Sequence, residues 1–435
     1  MQLSPLTGKA LESVRLATHR LNIWDGSVRS SKTISSLVAW LKFVRESPPG
    51  NLLMVGKTER TLKRNVIDPL IEMLGPRRCR YNAGVGELQL LGRKIYVAGA
   101  HDEAAKDKIK GLTLLGAYCD ELTTMPESFW SMLLTRLSEP GARLLATTNP
   151  EGPTHWLKRD YLNRAALHLT LDGRTAHAEA ATLDLARFSF KLADNPNLSA
   201  DYLASLEAEF VGLWRKRYIL GEWAIAEGAI YDMFDDGHIV DLLPPIDRWI
   251  SAGVDYGTTN PFSAVMLGVG GDADNRRLYV VSEYRYDSRA ARRQLTDSEY
   301  SERMTTWLAG IQRPHEQGRT AGVTPERIYV DPSAASFMTQ LWRDRVANVA
   351  HADNDVLDGI RTTSTLFAQD RLKIHSSCRA LLDELPGYAW DPKATAKGED
   401  KPLKVDDHGP DAVRYAAHSS AWVWRPMIQP LRVAA

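Results

Sequence analysis

Apolar positions along the chain fall into two series, separated by a proline-bearing stretch. In the first, near-continuous apolar runs occupy RLNIWDG (20–26), NLLMVGKT (51–58), RKIYVAGA (93–100), LTLLGAYCDE (112–121) and ARLLATTNP (142–150). Two intervening stretches, 32–46 and 59–75, carry apolar residues at helical spacing instead. Strands that are apolar on both faces and alternate with helices predict a parallel sheet covered on each side, an α/β architecture. From about 160 to 225 the pattern turns helical, most clearly over 201–223. The interval 226–245 reads as a strand-poor linker with Pro244 and Pro245. A second strand series follows: WISAGVDYG (249–257), FSAVMLGVG (262–270) and RRLYVVSEYRY (276–286) predict a meander with short turns. RIYVDPS (327–333) predicts one more strand, 411–424 a final helix, and the polar, basic stretch 391–404 a loop. The expected organisation is a domain over 1–225 with a helical lid at 160–225, a linker over 226–245, and a second domain over 246–435.

Composition narrows the class. With 44% hydrophobic and 25% charged residues among 435, the chain matches ordinary globular usage and excludes wholesale disorder or a collagen-like repeat. No run approaches the roughly 20 apolar residues of a membrane helix, and the first residues lack the apolar core of a secretory signal. Cys79, Cys119 and Cys378 make no CxxC pair, so a reduced, cytosolic protein is expected. Lys and Arg total 54 and Asp and Glu total 54, so net charge by itself does not favour a nucleic-acid partner.

The chemistry begins at GSVRSSKT (26–33), which follows one expected strand and opens a helix. It fits the phosphate-loop pattern G-x-x-x-x-G-K-[ST] except that Ser31 stands where the second Gly is usual. A loop of exposed N–H groups at a helix N-terminus wraps phosphates. Lys32 would reach the β- and γ-phosphates and the Thr33 hydroxyl would join Mg²⁺. Asp120 and Glu121 end a later apolar strand, where open α/β sheets bind ligands. There Asp120 would hold Mg²⁺ and Glu121 would polarise the attacking water. Asn149 in TTNP (147–150) is placed to sense the γ-phosphate, although Thr-Asn-Pro is also an ordinary turn.

The second half places three acids on separate elements. Asp255 lies within an apolar strand, Asp331 ends another, and Asp411 follows Pro410 in the first turn of the last helix. A carboxylate in an apolar strand must be paired or metal-bound, while a strand-ending Asp-Pro and a helix-opening Asp also have plain structural uses. Three such acids suit two divalent metals in phosphodiester hydrolysis, and all-oxygen ligands favour Mg²⁺ or Mn²⁺ over zinc. Asp407, Glu283 and His408 are auxiliary candidates.

Taken in order, the deviant phosphate loop, the strand-final Asp-Glu, TTNP, GVDYG, YVDPS and HGPDAVRY resemble the large terminase subunit of tailed bacteriophages over roughly residues 20–420. LGEWAIAEGAIYDMFDD (220–236) is similar to the joint of that family. The resemblance implies a P-loop, RecA/ASCE-like parallel-sheet ATPase followed by an RNase H-like mixed-sheet nuclease, with ATP and Mg²⁺ as cofactors and Mn²⁺ as an alternative at the nuclease. It implies pumping of double-stranded viral DNA through the portal protein and cutting of concatemers at initiation and termination. The implied partners are a small terminase subunit and a homo-oligomeric ring, commonly of five copies, on the procapsid. The implied setting is the host cytoplasm, with no membrane and no place in the mature virion. By position, Gly26, Ser27, Val28, Arg29, Ser30, Ser31, Lys32 and Thr33 match the nucleotide loop, and Asp120 and Glu121 the Mg²⁺-binding and catalytic acids. Thr148 and Asn149 match the motif that couples hydrolysis to DNA movement, and Asp255, Asp331 and Asp411 the nuclease acids. Arg60, Arg64, Arg136 and Arg143 are candidates for an arginine acting on the ATP of a neighbouring subunit.

Two other readings stand beside this one. A helicase- or repair-type ATPase–nuclease would show a second RecA-like sheet, and only one is expected before residue 230. A portal-docking scaffold with a decayed ATPase is hinted at by Ser31 and opposed by the presence of Lys32, Thr33, Asp120 and Glu121.

Overall fold

The computed structural model describes residues 5–178, 183–258, 260–272, 275–313 and 321–428. They divide into two units, one drawn from 1–203 with 212–225 and the other from 204–211 with 226–435.

The first unit is built on a ten-stranded sheet. Its strands are β1 (Leu21–Gly26), β2 (Leu52–Gly56), β3 (Cys79–Asn82), β4 (Glu87–Leu90), β5 (Arg93–Gly99), β6 (Gly116–Cys119), β7 (Arg143–Thr148), β8 (Ala165–Leu169), β9 (Thr175–His177) and β10 (Leu183–Phe190). They lie in the order β3-β4-β5-β2-β6-β7-β1-β10-β8-β9. The interior from β5 to β8 is parallel, with antiparallel neighbours at each edge. Every residue of β1, β2 and β6 is buried, as a sheet covered on both faces requires. The helix Lys32–Glu46 packs Leu37, Trp40 and Val44 from one face into the core. Helical spacing over 59–75 resolves into Glu59–Leu62, a wide turn Lys63–Ile67 and Asp68–Leu74.

The helical lid expected over 160–225 is corrected. That interval contains β8, β9 and β10, and its longer helices are confined to Ala200–Glu209 and Gly212–Tyr218. The run LDLARFSF escapes an apolar-strand reading because Arg187 and Ser189 interrupt it, yet both are buried against Asp25 of β1.

The second unit holds β11 (Ile239–Val240), β12 (Ile246–Asp255), β13 (Phe262–Gly270), β14 (Arg277–Tyr286), β15 (Arg327–Val330), β16 (Val349–His351) and β17 (Leu372–His375) in the order β11-β17-β14-β13-β12-β15-β16. β12, β13 and β14 form the expected antiparallel meander, and β15 and β17 join it in parallel on either side. Phe262, Tyr300 and Phe337 meet in the core beside it. The stretch 391–404, expected as a loop, contains the helix Pro392–Ala396, and its ends are tied by Asp391 N–H to Lys401 O (2.8 Å) and Leu403 N–H to Ala389 O (2.8 Å). Among the described residues no helix is long and apolar enough to cross a membrane.

Candidate nucleotide site and acidic cleft

β1 ends at Gly26, where φ is 149° and a Cβ would lie 2.0 Å from the Phe190 carbonyl oxygen. Glycine is therefore required for the chain to leave the sheet here. The loop that follows is fastened from outside: Ser27 N–H donates to Phe190 O (2.9 Å), Val28 N–H to Tyr218 O (3.2 Å), and the Asn195 amide to Arg29 O (2.6 Å). Arg29 and Ser31 both take positive φ, 56° and 70°. Ser31 thus adopts the left-handed backbone that glycine adopts freely, at a cost of about 1–2 kcal/mol. Lys32 then opens the helix and turns its Nζ inward, donating to Ser27 O and Asn149 Oδ1, both at 2.8 Å. Burial pushes this ammonium down to about 8, against the pull of Asp120, Glu121 and Asp25.

β6, β7 and β1 are adjacent and parallel, so residues that follow them meet at one end of the sheet. The Thr147 hydroxyl donates to Asp120 Oδ1 (2.8 Å), and burial raises the Asp120 carboxyl to about 6 despite that bond. Glu121 sits at φ 56°, with its N–H on Thr147 Oγ1 (3.3 Å). Thr148 Oγ1 accepts from Thr123 N–H (3.1 Å), tying the end of β7 to the turn after β6. Lys32, Thr33, Asp120, Glu121 and Asn149 line one recess of about 130 Å³. A cavity of about 850 Å³ shares Lys32 and Thr33 with it and is lined also by Arg29, Asn195 and Arg64. Arg60, Arg136 and Arg143 line neither, and Arg143 lies over the Phe43 ring instead (5.8 Å).

Behind the loop, Asp25 is fully buried and accepts from Arg187 Nη2 (2.6 Å), Ser189 Oγ (2.8 Å) and Trp223 Nε1 (2.7 Å). Burial alone would raise its carboxyl, but these partners, Arg187 foremost, hold it at about 2. Sequence reasoning missed Asp25, Thr147 and Trp223. Only the polar interruption of an apolar run at Asp25 offered a signal.

In the second unit, Asp255 ends β12 and Asp331 follows β15, and the two strands pair in parallel with Val254 opposite Val330. Asp411 arrives on the helix His408–Ser419, which lies against β12 at Gly253, where a Cβ would be 2.1 Å from Ala412 O. All three acids line a cleft of about 520 Å³ together with Asp407, His408 and Lys404. Their side chains are engaged individually. Asp255 Oδ2 meets His408 Nδ1 (2.8 Å), and Asp331 Oδ1 accepts from Ser333 N–H (2.9 Å). Asp411 Oδ1 accepts from Tyr388 (3.2 Å) and Arg414 Nε (3.3 Å), while Oδ2 accepts from Lys404 Nζ (2.9 Å). Burial raises the Asp255 carboxyl above its usual range, Asp411 and Asp331 add to this, and His408 opposes it. Glu283 is set apart, capping the helix Arg379–Glu384 through Ala380 N–H (2.7 Å) and Leu381 N–H (2.9 Å). Tyr388, Lys404 and Arg414 were not foreseen.

The oxygen-only donors of each site have the chemistry of a hard divalent cation. In the cleft they are not yet gathered for one: among the described residues no three His, Cys, Asp or Glu side chains converge as a metal-holding group.

A parallel sheet with a phosphate loop and acids ending a nearby strand defines a P-loop, RecA/ASCE-like ATPase fold. A mixed sheet with acids on two adjacent strand ends and a final helix defines an RNase H-like nuclease fold. Comparison with known proteins matches the chain across both units. The family model described as terminase large subunit, T4likevirus-type, N-terminal, matches residues 26–235. The large terminase of a thermophilic bacteriophage is 33% identical, the match covering 95% of this chain and 99% of that one with a TM-score of 0.77. A structure of that terminase in complex with ADP gives 34% identity, coverage of 96% and 100%, and a TM-score of 0.77. The large terminase subunit of Escherichia phage T5 is 23% identical over 369 residues, 80% of this chain and 75% of that one. The chain belongs to the large terminase family and is an enzyme of phage DNA packaging.

Proposed function

We propose that this chain is both motor and cutter of the packaging machine. The first unit hydrolyses ATP to drive double-stranded DNA through the portal protein into the procapsid. The second cleaves concatemeric DNA when packaging starts and ends. The observation that carries this reading is the convergence of Lys32, Asn149, Asp120 and Glu121 at the ends of three adjacent strands, in a chain whose second unit brings Asp255, Asp331 and Asp411 to one cleft. The thermophilic phage terminase, 34% identical, is known in complex with ADP and with ATP-gamma-S, which supports a nucleotide at the first site.

For ATP to bind, the loop N–H groups from Arg29 to Thr33 cradle its phosphates, and Lys32 exchanges Ser27 O and Asn149 Oδ1 for phosphate oxygens. That exchange frees the Asn149 amide for the γ-phosphate, so cleavage of the terminal bond is felt at the end of β7. Glu121 orients the attacking water, and the loop N–H groups with Lys32 stabilise the charge that develops. Mg²⁺ held through Thr33 and Asp120 would neutralise phosphate charge.

In the second unit Asp255, Asp331 and Asp411 would hold Mg²⁺ or Mn²⁺, which supplies water activation and stabilisation of the leaving oxygen. His408 holds Asp255 in place, and Tyr388 and Arg414 fix Asp411. The expected setting is a homo-oligomeric ring, commonly of five copies, on the procapsid in the host cytoplasm, with a small terminase subunit delivering DNA.

The test is plasmid cleavage by the purified chain with Mg²⁺ or Mn²⁺ and no ATP, beside ATP turnover. Asp255→Asn should lose cleavage and keep turnover, and Lys32→Met should do the reverse. One substitution abolishing both activities in a folded chain would overturn the two-site reading.

A further inference from the structure

Lys404 has no part in the cleavage chemistry outlined above, yet it reaches into the centre of the acidic cleft. Its side chain is 65% exposed, while its Nζ lies 2.9 Å from Asp407 Oδ2 and 2.9 Å from Asp411 Oδ2, on carboxylates only 8% and 5% exposed. The backbone delivers it there firmly: Leu403 N–H is bonded to Ala389 O (2.8 Å), and Asp406, at φ 47°, turns the chain back towards His408. Asp411 has one oxygen committed to Tyr388 and Arg414, so Oδ2 is the oxygen it can still offer, and Lys404 covers that oxygen.

An ammonium at this distance supplies the positive charge that a divalent cation would otherwise bring. The two cannot share the carboxylates, because like charges a few ångströms apart repel strongly. A flexible, mostly exposed lysine is also readily drawn away by another anion, and the backbone phosphates of entering DNA are such anions.

We propose that Lys404 is an intramolecular counter-cation that closes the nuclease site to divalent metal in the free chain. It withdraws to the DNA backbone when substrate enters, so metal and DNA load together. This rests on the reading of Asp255, Asp331 and Asp411 as metal ligands.

The experiment is Mn²⁺ binding to the full chain without nucleotide, read from the electron paramagnetic resonance signal of the free ion. The cleft site is taken as the portion of binding lost in Asp411→Asn. Lys404→Met should bind Mn²⁺ at that site more tightly by on the order of tenfold or more. Arg289→Met removes another cation lining the same cleft, one bonded to Asn260, and should change affinity less than about twofold. Non-cleavable duplex DNA should tighten Mn²⁺ binding in the wild type and not in Lys404→Met. Lys404→Gln, checked for a native melting curve, guards against misfolding of the first variant. Equal Mn²⁺ affinity in wild type and Lys404→Met would overturn the proposal and leave the metal reading standing, as would equal tightening in Arg289→Met. Weaker binding in Lys404→Met would show that the lysine organises the acids and would overturn it too. Mn²⁺ binding unaffected by Asp411→Asn would overturn the metal reading and the proposal together.

Discussion

Lys32 is buried at the mouth of the phosphate loop with its ammonium held near 8, below the lysine value of the unfolded chain. The unfolded state therefore binds more protons between about pH 8 and 10.4, and stability rises with pH through that window. Below it the charged lysine is a standing cost, on the order of 1–3 kcal/mol. Lys32→Met should accordingly abolish ATP turnover while melting no lower than the wild type at pH 7 without nucleotide. A clear fall in melting temperature would mean that its bonds to Ser27 and Asn149 outweigh the burial cost. Ser31 tests the loop backbone. Its φ of 70° suits glycine, so Ser31→Gly should keep both stability and turnover. Ser31→Val, β-branched at a positive φ, should lose about 1–3 kcal/mol and most of the turnover, read by melting and phosphate release.

Between elements, β12 and the helix His408–Ser419 approach closely. A Cβ on Gly253 would meet Ala412 O at 2.1 Å and Ala416 N at 2.6 Å, so neither backbone has room to yield. Gly253→Ala should push the helix His408–Ser419 off the sheet, moving Asp411 away from Asp255. The expected result is loss of metal-dependent cleavage and a destabilisation of about 1–3 kcal/mol, with ATP turnover kept. Turnover lost to the same extent would sink that account. Elements are also where the sequence was most readable. β1, β2, β5, β6 and β7 stand within the expected runs because largely buried strands leave a near-continuous apolar signature, even where Asp25 or Arg93 and Lys94 break it. β8, β9 and β10 were hidden, since Arg187 and Ser189 look solvent-facing until their partner Asp25, more than 160 residues away, is known. The same limit applied at the sites. Loop and strand-end residues such as Lys32, Asp120 and Asp331 announce themselves by local pattern. Thr147, Tyr388 and Lys404 owe their roles to neighbours that only the fold supplies.

For the molecule as a whole, the two sites should part company in alkaline solution. On the proposed reading of the first site, Asp120 would have to be ionised to hold metal and Lys32 charged to hold phosphate, and burial sets these groups at about 6 and about 8. Since kcat/KM reports the free enzyme, its value for ATP should rise about tenfold per pH unit up to about pH 6 and fall about tenfold per unit above about pH 8. The acidic cleft shares only the first of these limits. Burial raises Asp255, so cleavage too should fade in acid as that carboxylate is protonated. The lysine of the cleft behaves oppositely to Lys32: its carboxylate partners overcome burial and raise its pKa, so it keeps its charge as pH climbs. Plasmid cleavage with Mg²⁺ and no ATP should therefore stay level between about pH 8 and 9.5, while kcat/KM for ATP drops more than tenfold over the same span. A parallel fall of both activities would mean that one ionisation governs both, contrary to two sites with separate proton chemistry. Divergence would show that the buried lysine of the phosphate loop limits the motor alone.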